Sequence, residues 1–533
     1  MMIYDYSRLQ AEKRPDAPAI TMGNKSVTYR ELEKKSNQFA ELLIQNGLKP
    51  GDRVCLYAEK RPATIIAMLG VMKAGGAYVP LDINSPAERI VRMILSAYPA
   101  FLLIDDASIA TYPDLVSTDS SVSRIPLIWW SESVSRQNLS NVSFSLSDLA
   151  EVKNIPHAVV RDAESTAHIL FTSGSTGLPK GVVIKHSNVT AFVNWAVSYF
   201  NMKPGERNSG HSPLHFDLST YDIYGTFAAG GELFPVPVDM SVHPAKLVSF
   251  IKDNNLDQWF SVPSALNYLA RFKAIPKEGF PQLKRLIWCG EVFPLPGLQY
   301  WMENLPKVQF TNLYGPTEAT IASSYHTLSE IPEKDIPIGM ACDKEALLVL
   351  DENLKPVLDG VKGHLYISGA GLSPGYWVSP NPEVKHTLPT SPFRSFIHEN
   401  GDTERIYKTG DLASVGKNSL VYFHGRADYQ IKSRGYRIEL GEIEAALGTS
   451  QILREFAVVP VEKGGFEGTS IGCAFVLSDT ADTNTRPEPK LKKTLQQLVP
   501  PYMIPHFWRA YDKLPRNANG KIDRRKISDH FEN

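Results

Sequence analysis

Residues 170–186 read LFTSGSTGLPKGVVIKH. Glycines let a backbone approach a phosphate closely, hydroxyls donate to its oxygens, and a lysine balances its charge. Thr172, Ser173, Gly174, Ser175, Thr176 and Lys180 are therefore candidate phosphate ligands. The spacing is not that of a Walker A loop, because Pro179 precedes Lys180 and Gly181 follows it. The run GVVI reads as a strand, and a helix begins only near Ser187. The segment is read as a strand–loop–strand phosphate loop; the plain alternative is a surface hairpin.

Four further motifs follow in order: NLYGPTEAT (312–320), YKTGDLA (407–413), GRADYQIKSRGYRIELGEIEAAL (425–447) and NGKIDRR (519–525). In YGPTE, Glu318 has the chemistry to hold Mg²⁺, since a hard cation takes carboxylate oxygen. Thr317 beside it is placed to donate to phosphate. Asp411 of TGD can accept two ribose hydroxyls, with Arg426 assisting. Lys521 follows a turn as a lone cation, though on charge alone KIDRRK reads as a solvated basic tail.

Together the five motifs resemble those of the acyl-adenylate-forming superfamily, which includes nonribosomal-peptide adenylation domains, acyl-CoA synthetases and luciferases. The resemblance runs from VTYREL at 27–32 to Lys521. It implies an α/β protein. A large N-terminal domain of layered α/β subdomains with a β-barrel-like part (1–427) would carry a small, mobile α+β C-terminal lid (429–533), with Asp428 as hinge. It implies ATP and Mg²⁺ as cofactors, with a carboxylate joined to the α-phosphate and pyrophosphate expelled. Asn312 and Tyr314 would flank the adenine, with Gly290 and Glu291 lining the same side. Lys521 would be the catalytic residue, bridging substrate carboxylate and nucleotide. The lid would then turn, and Gly435 in KSRGYRIE would let a phosphopantetheine arm pass.

The stretch HFDLSTYDIYGTFAAGGEL (215–233) bears on the acid activated. Members of the superfamily acting on α-amino acids carry an aspartate where Asp217 stands, to pair with the substrate ammonium. A buried, unpaired carboxylate is costly, so Asp217 favours an amino acid over the acids taken by CoA ligases. Its other reading is a helix N-cap. Aligned by motif, the pocket is completed by Leu218, Tyr221, Phe260, Ile287, Cys289, Leu313, Ile321 and Ala322. None is charged, so an acidic or basic side chain would sit unpaired. Phe260, Leu313 and Tyr221 shorten the pocket. The lining resembles that of stand-alone L-proline-adenylating enzymes, which implies L-proline, with cysteine, valine or 2-aminobutyrate as alternatives. Only 12 residues follow Lys521, so the acyl group is expected to pass to a separate carrier protein in natural-product biosynthesis. A CoA ligase and a non-catalytic adenylate-binding protein are the competing readings.

These residues need elements to hold them. TYRELEKKSNQFAELLIQNGLKPGD reads as an amphipathic helix closed by Gly47, RVCLYA as a buried strand, and ATIIAMLGVMKAGGAYVPL as helix, glycine turn and strand. This rhythm predicts layered α/β architecture. Residues 106–150 are serine-rich and read as a solvated excursion, and 478–489 as a loop. A chain of 533 residues is too long for one ordinary core. A net charge of −1 gives no pull toward nucleic acid or anionic membrane. Four cysteines without CxxC spacing fit a reducing cytoplasm and give no metal signature. The start lacks a signal-peptide core, and no apolar run has membrane-spanning length.

Overall fold

The computed structural model describes residues 1–131, 139, 141–155, 162–174, 178–240, 243–382, 384, 391–398, 400–462, 469–478, 486–517 and 520–532. Local chemistry sets the first elements. Thr28 and Glu31 form a reciprocal capping box that starts the helix Tyr29–Gln45. The strand Arg53–Tyr57, the helix Pro62–Lys73 and the strand Ala77–Pro80 follow as the sequence predicts. The helix Pro62–Lys73 is buried from Thr64 to Lys73, so it lies inside the layers.

Two large sheets build the N-terminal part. Among the described residues one has eight strands, in the order Gly375–Tyr376, Lys180–Lys185, Thr166–Thr172, Ala77–Pro80, Arg53–Tyr57, Phe101–Ile104, Leu127–Trp129 and Val142–Ser145. The last two correct the reading of 106–150 as a solvated excursion. Ile128 and Trp129 are 0% and 2% exposed. The short run PLIWW makes a buried parallel strand that flanking serines obscure. The second sheet has nine strands, in which Arg207–Gly210, Gln258–Ser261, Arg285–Cys289 and Gln309–Tyr314 run parallel side by side. Their carboxyl ends point to one crevice, where open α/β sheets bind ligands. The expected β-barrel-like part is a five-stranded antiparallel sheet over Glu345–Leu350, Gly363–Gly369, Phe393–Ile397, Thr403–Val415 and Val421–Arg426.

From residue 430 the chain builds a smaller α+β unit. It holds the hairpin Gln430–Ser433/Tyr436–Glu439, the helix Leu440–Leu447, and a three-stranded sheet of Leu453–Glu462, Thr469–Leu477 and Phe507–Ala510. Among the described residues its two hydrophobic clusters draw only on residues from 431 onward, and the other clusters only on residues before 424. Of the loop read at 478–489, residues 479–485 lie outside the described residues, and a helix starts at Glu488. Among the described residues no helix is long and apolar enough to cross a membrane. All four cysteines are buried and free.

Candidate active site

The crevice at the carboxyl ends of the parallel strands meets the small unit. A cleft of about 1460 Å³ opens between them, and a cavity of about 110 Å³ lies deeper. The cavity is lined by Thr172, Ser173, Asp217, Leu218, Cys289, Gly290, Thr317, Asp411, Arg426 and Gly435 from the sequence reading. Lys432 and Arg437 also line it. Glu291 and Asp428 line the outer cleft.

Asp217 sits just before the helix Leu218–Ala229 but makes no side-chain capping bond, so the N-cap reading is corrected. Its carboxylate instead accepts the Thr317 hydroxyl at 2.7 Å. Thr317, expected on phosphate, thereby orients the acid. Burial pushes Asp217 up to about 6, against the pull of that hydroxyl. The site presents a buried carboxylate short of positive charge, which a substrate ammonium would supply.

The other called pocket residues lie behind this. Tyr221, Phe260, Ile287, Leu313, Ile321 and Ala322 are at most 2% exposed and pack with Leu218 and Cys289 in one apolar cluster. Strand register explains it. Phe260 pairs with Ile287 and Cys289 with Leu313, and period-two alternation puts these side chains on one face. Of the nine called residues, only Asp217, Leu218 and Cys289 reach the cavity. The pocket is therefore shallower than a motif alignment makes it. Thr320 and Ile321, which follow the YGPTE motif, have φ of 53° and 71°. The Thr320 hydroxyl donates to the Gly371 carbonyl at 2.7 Å, and Gly371 N–H donates to Glu345 at 2.6 Å, holding this strained turn.

The phosphate loop joins the antiparallel strands Thr166–Thr172 and Lys180–Lys185, as the sequence predicts. Ser175 and Thr176 lie outside the described residues. Ser173 donates to the Arg437 carbonyl at 2.7 Å, and Thr172 donates within the loop to the Lys180 carbonyl at 3.5 Å. Burial lowers the Lys180 ammonium pKa, with Glu439 opposing. Asp411 is 3% exposed, pairs with Arg426 at 2.5 Å, and accepts the Tyr314 hydroxyl. Arg426 also forks onto Asp428, with both bonds at 2.7 Å. Asn312 donates to the Pro337 carbonyl at 2.9 Å. Gly290 ends the strand Arg285–Cys289 with φ of 97°. Glu291 accepts Ser264 N–H at 2.9 Å within the large part and, through its other oxygen, Gly435 N–H at 2.6 Å across the joint with the small unit.

Glu318 is 1% exposed and ionised, its pKa lowered chiefly by Arg437 against the cost of burial. It accepts the Tyr376 hydroxyl at 2.8 Å and Arg437 at 2.6 Å. Among the described residues no group of three acid, histidine or cysteine side chains forms a metal site. One carboxylate nevertheless fits Mg²⁺, which typically takes one or two protein carboxylates together with substrate phosphates. Lys521 stands apart from all this. It is exposed, its backbone N–H donates to Asn517 at 3.1 Å, and it lines neither cavity. The face of the small unit turned to the site is instead residues 432–442. Sequence reasoning quoted that stretch but named only Gly435. Its dense charge, three cations followed by two acids in KSRGYRIELGE, is the signal that marks Lys432, Arg437, Glu439 and Glu442.

Fold and site define a two-part nucleotide-binding enzyme. The chain belongs to the AMP-binding enzyme family, whose model matches residues 7–377, and the AMP-binding enzyme C-terminal domain matches 442–521. It is 32% identical over 520 residues to a D-alanine–D-alanyl carrier protein ligase of Bacillus cytotoxicus, covering 97% of each chain. A ligase of the same name from Bacillus cereus is 33% identical over 522 residues, with the same coverage. Among solved structures, the Vibrio cholerae adenylation domain AlmE, in complex with glycyl-adenosine-5′-phosphate, matches with a TM-score of 0.81 at 24% identity, over 99% of this chain and 96% of that one. The amide bond synthetase McbA from Marinactinospora thermotolerans matches with a TM-score of 0.82 at 21% identity, over 100% of both chains.

Proposed function

We propose that this protein uses ATP to adenylate a small apolar amino acid and then passes the aminoacyl group to the phosphopantetheine thiol of a separate carrier protein. The observation that carries the reading is Asp217: a buried, hydrogen-bonded carboxylate at a small cavity beside Glu318 and the phosphate loop. In the first step a substrate carboxylate oxygen attacks the α-phosphorus, the bond to the β-phosphate breaks, and pyrophosphate leaves. Asp217 fixes the ammonium, Asp411 takes the ribose hydroxyls, and Ser173, Gly174 and Lys180 meet the phosphates. Magnesium held by Glu318 would supply charge neutralisation of those phosphates. Lys521 serves this step from a second orientation of the lid, turning about Asp428. In the transfer step the thiol sulfur attacks the acyl carbon and AMP departs; the lid face at Gly435 forms the channel wall.

The shallow cavity favours a methyl-sized side chain, and D-alanine is the amino acid in the names of the Bacillus relatives. L-Proline is the second reading, supported by the motif resemblance at Leu218, Phe260 and Leu313, of which only Leu218 lines the cavity. ATP–pyrophosphate exchange with D-alanine, L-alanine, glycine, L-proline, valine and cysteine tests both. Alanine above proline is the expected order; proline clearly above alanine would overturn the shallow-pocket reading. Loading of a pantetheinylated carrier against free CoA separates the carrier ligase from a CoA ligase.

A further inference from the structure

Lys60 stands in the turn that leads from the strand Arg53–Tyr57 to the helix Pro62–Lys73, and it lines the outer cleft. The turn is itself fastened. Glu59 N–H donates to Asp105 at 3.0 Å, and the Thr64 hydroxyl donates to the Glu59 carbonyl at 2.6 Å. The Lys60 ammonium crosses from there to the nine-stranded sheet. It donates to the carbonyls of Gly210, His211 and Ser212, at 2.8 and 3.0 Å for the last two. An ammonium has three protons and no acceptor, so all three serve one short stretch of backbone. On the same stretch Asp222, 1% exposed, accepts the N–H groups of Ser212, at 3.4 Å, and of His211. Its other oxygen is buried with no hydrogen-bond partner among the described residues, so the charge of Lys60 is what offsets burial of the carboxylate.

We propose that Lys60 and Asp222 are positioning residues for the amino-acid site, a charged clamp that fixes where Asp217 stands. The inference rests on the adenylation reading above. Only residues 213–216 lie between the clamped stretch and Asp217. They form a tight turn. Phe216 N–H donates to the Pro213 carbonyl at 3.0 Å, and the Ser219 hydroxyl donates to the Phe216 carbonyl at 2.7 Å. Asp217 then opens the helix Leu218–Ala229, which carries Asp222. Clamp, turn and helix thus close a ring, and the carboxylate that meets the ammonium is part of it. Neither Lys60 nor Asp222 lines the small cavity, so both act through Asp217 and not on the substrate. A carboxylate already held in place binds an ammonium without first having to be ordered. The nucleotide is held by other elements, the phosphate loop and the strand Thr403–Val415 with Asp411. Loss of the clamp therefore weakens the grip on the amino acid and leaves the nucleotide site in place.

The test is pyrophosphate-exchange kinetics of wild type, Lys60→Met, Lys60→Arg and Asp222→Asn, with amino acid and ATP varied separately on one preparation of each. KM does not depend on the fraction of enzyme that is folded, so general destabilisation does not imitate the effect. Lys60→Met is expected to raise the amino-acid KM about 10- to 100-fold, as for a misplaced binding group, with the ATP KM within about twofold of wild type. Asp222→Asn, which leaves the lysine in place, is expected to move the amino-acid KM in the same direction. Lys60→Arg keeps charge and donors and should recover most of the loss. Where Lys60→Met gives no folded protein, Asp222→Asn decides by the same split. An unchanged amino-acid KM, a joint rise of both KM values, or Lys60→Arg no better than Lys60→Met would overturn the proposal alone. Wild type that exchanges with no amino acid would instead overturn the adenylation reading beneath it.

Discussion

Burial holds Asp217 up to about 6, so the free site loses its charge in mildly acidic solution. As pH falls through that value the carboxylate protonates and can no longer pair with an ammonium. The expected result is that kcat/KM for the amino acid drops roughly tenfold per pH unit below about 6, which exchange assays across pH will show. In Asp217→Asn the step should vanish, with a loss of about 2–5 kcal/mol of binding, the cost of truncating one side of a buried charged pair. Asp217, Glu318 and Asp411 were legible in the sequence because each stands in a short contiguous motif whose chemistry is local. Lys432 and Arg437 were quoted but not assigned, because a charge gains its role from a partner far away in the chain. Pocket depth was not legible either. Composition names the residues of a wall but not which of them another side chain covers.

At the scale of elements, the hairpin Gln430–Ser433/Tyr436–Glu439 turns at Gly435, with φ of 81°. A Cβ there would stand 2.8 Å from a Val262 methyl. Gly435→Ala therefore meets both a left-handed backbone penalty of about 1–2 kcal/mol and a clash across the joint. Carrier loading is expected to fall well below pyrophosphate exchange, measured on the same preparation. Lys521 lies at the far turn of the same unit, beside the bridge between Arg516 and Ile522. Lys521→Ala should cut exchange by about 10²–10³, as for loss of one preorganised donor. Thioester formation from a supplied aminoacyl adenylate should hold, and equal loss of both steps would remove Lys521 from its proposed role. Helix and strand periodicity marked the helix Tyr29–Gln45, the elements from Arg53 to Pro80 and the strands either side of the phosphate loop. It missed Leu127–Trp129, whose three buried residues are too few to show a period.

For the whole molecule, the joint between the two parts is made by residues that no local reading brings together. Arg89 and Glu442, buried against each other, are 353 positions apart. Arg426 connects the parts in another way, gripping Asp411 on one side and Asp428 on the other. Rotation at Asp428 must break that fork. Asp428→Pro both removes it and fixes φ, so exchange is expected to survive while carrier loading falls sharply, in parallel assays of the two steps. The small unit keeps its own hydrophobic clusters, shared with no described residue before 431. Heat should therefore find two cooperative bodies in one chain. Scanning calorimetry is expected to resolve two transitions whose enthalpies scale with the sizes of the parts. Salt, by weakening the ionic joint, should draw them further apart without merging them.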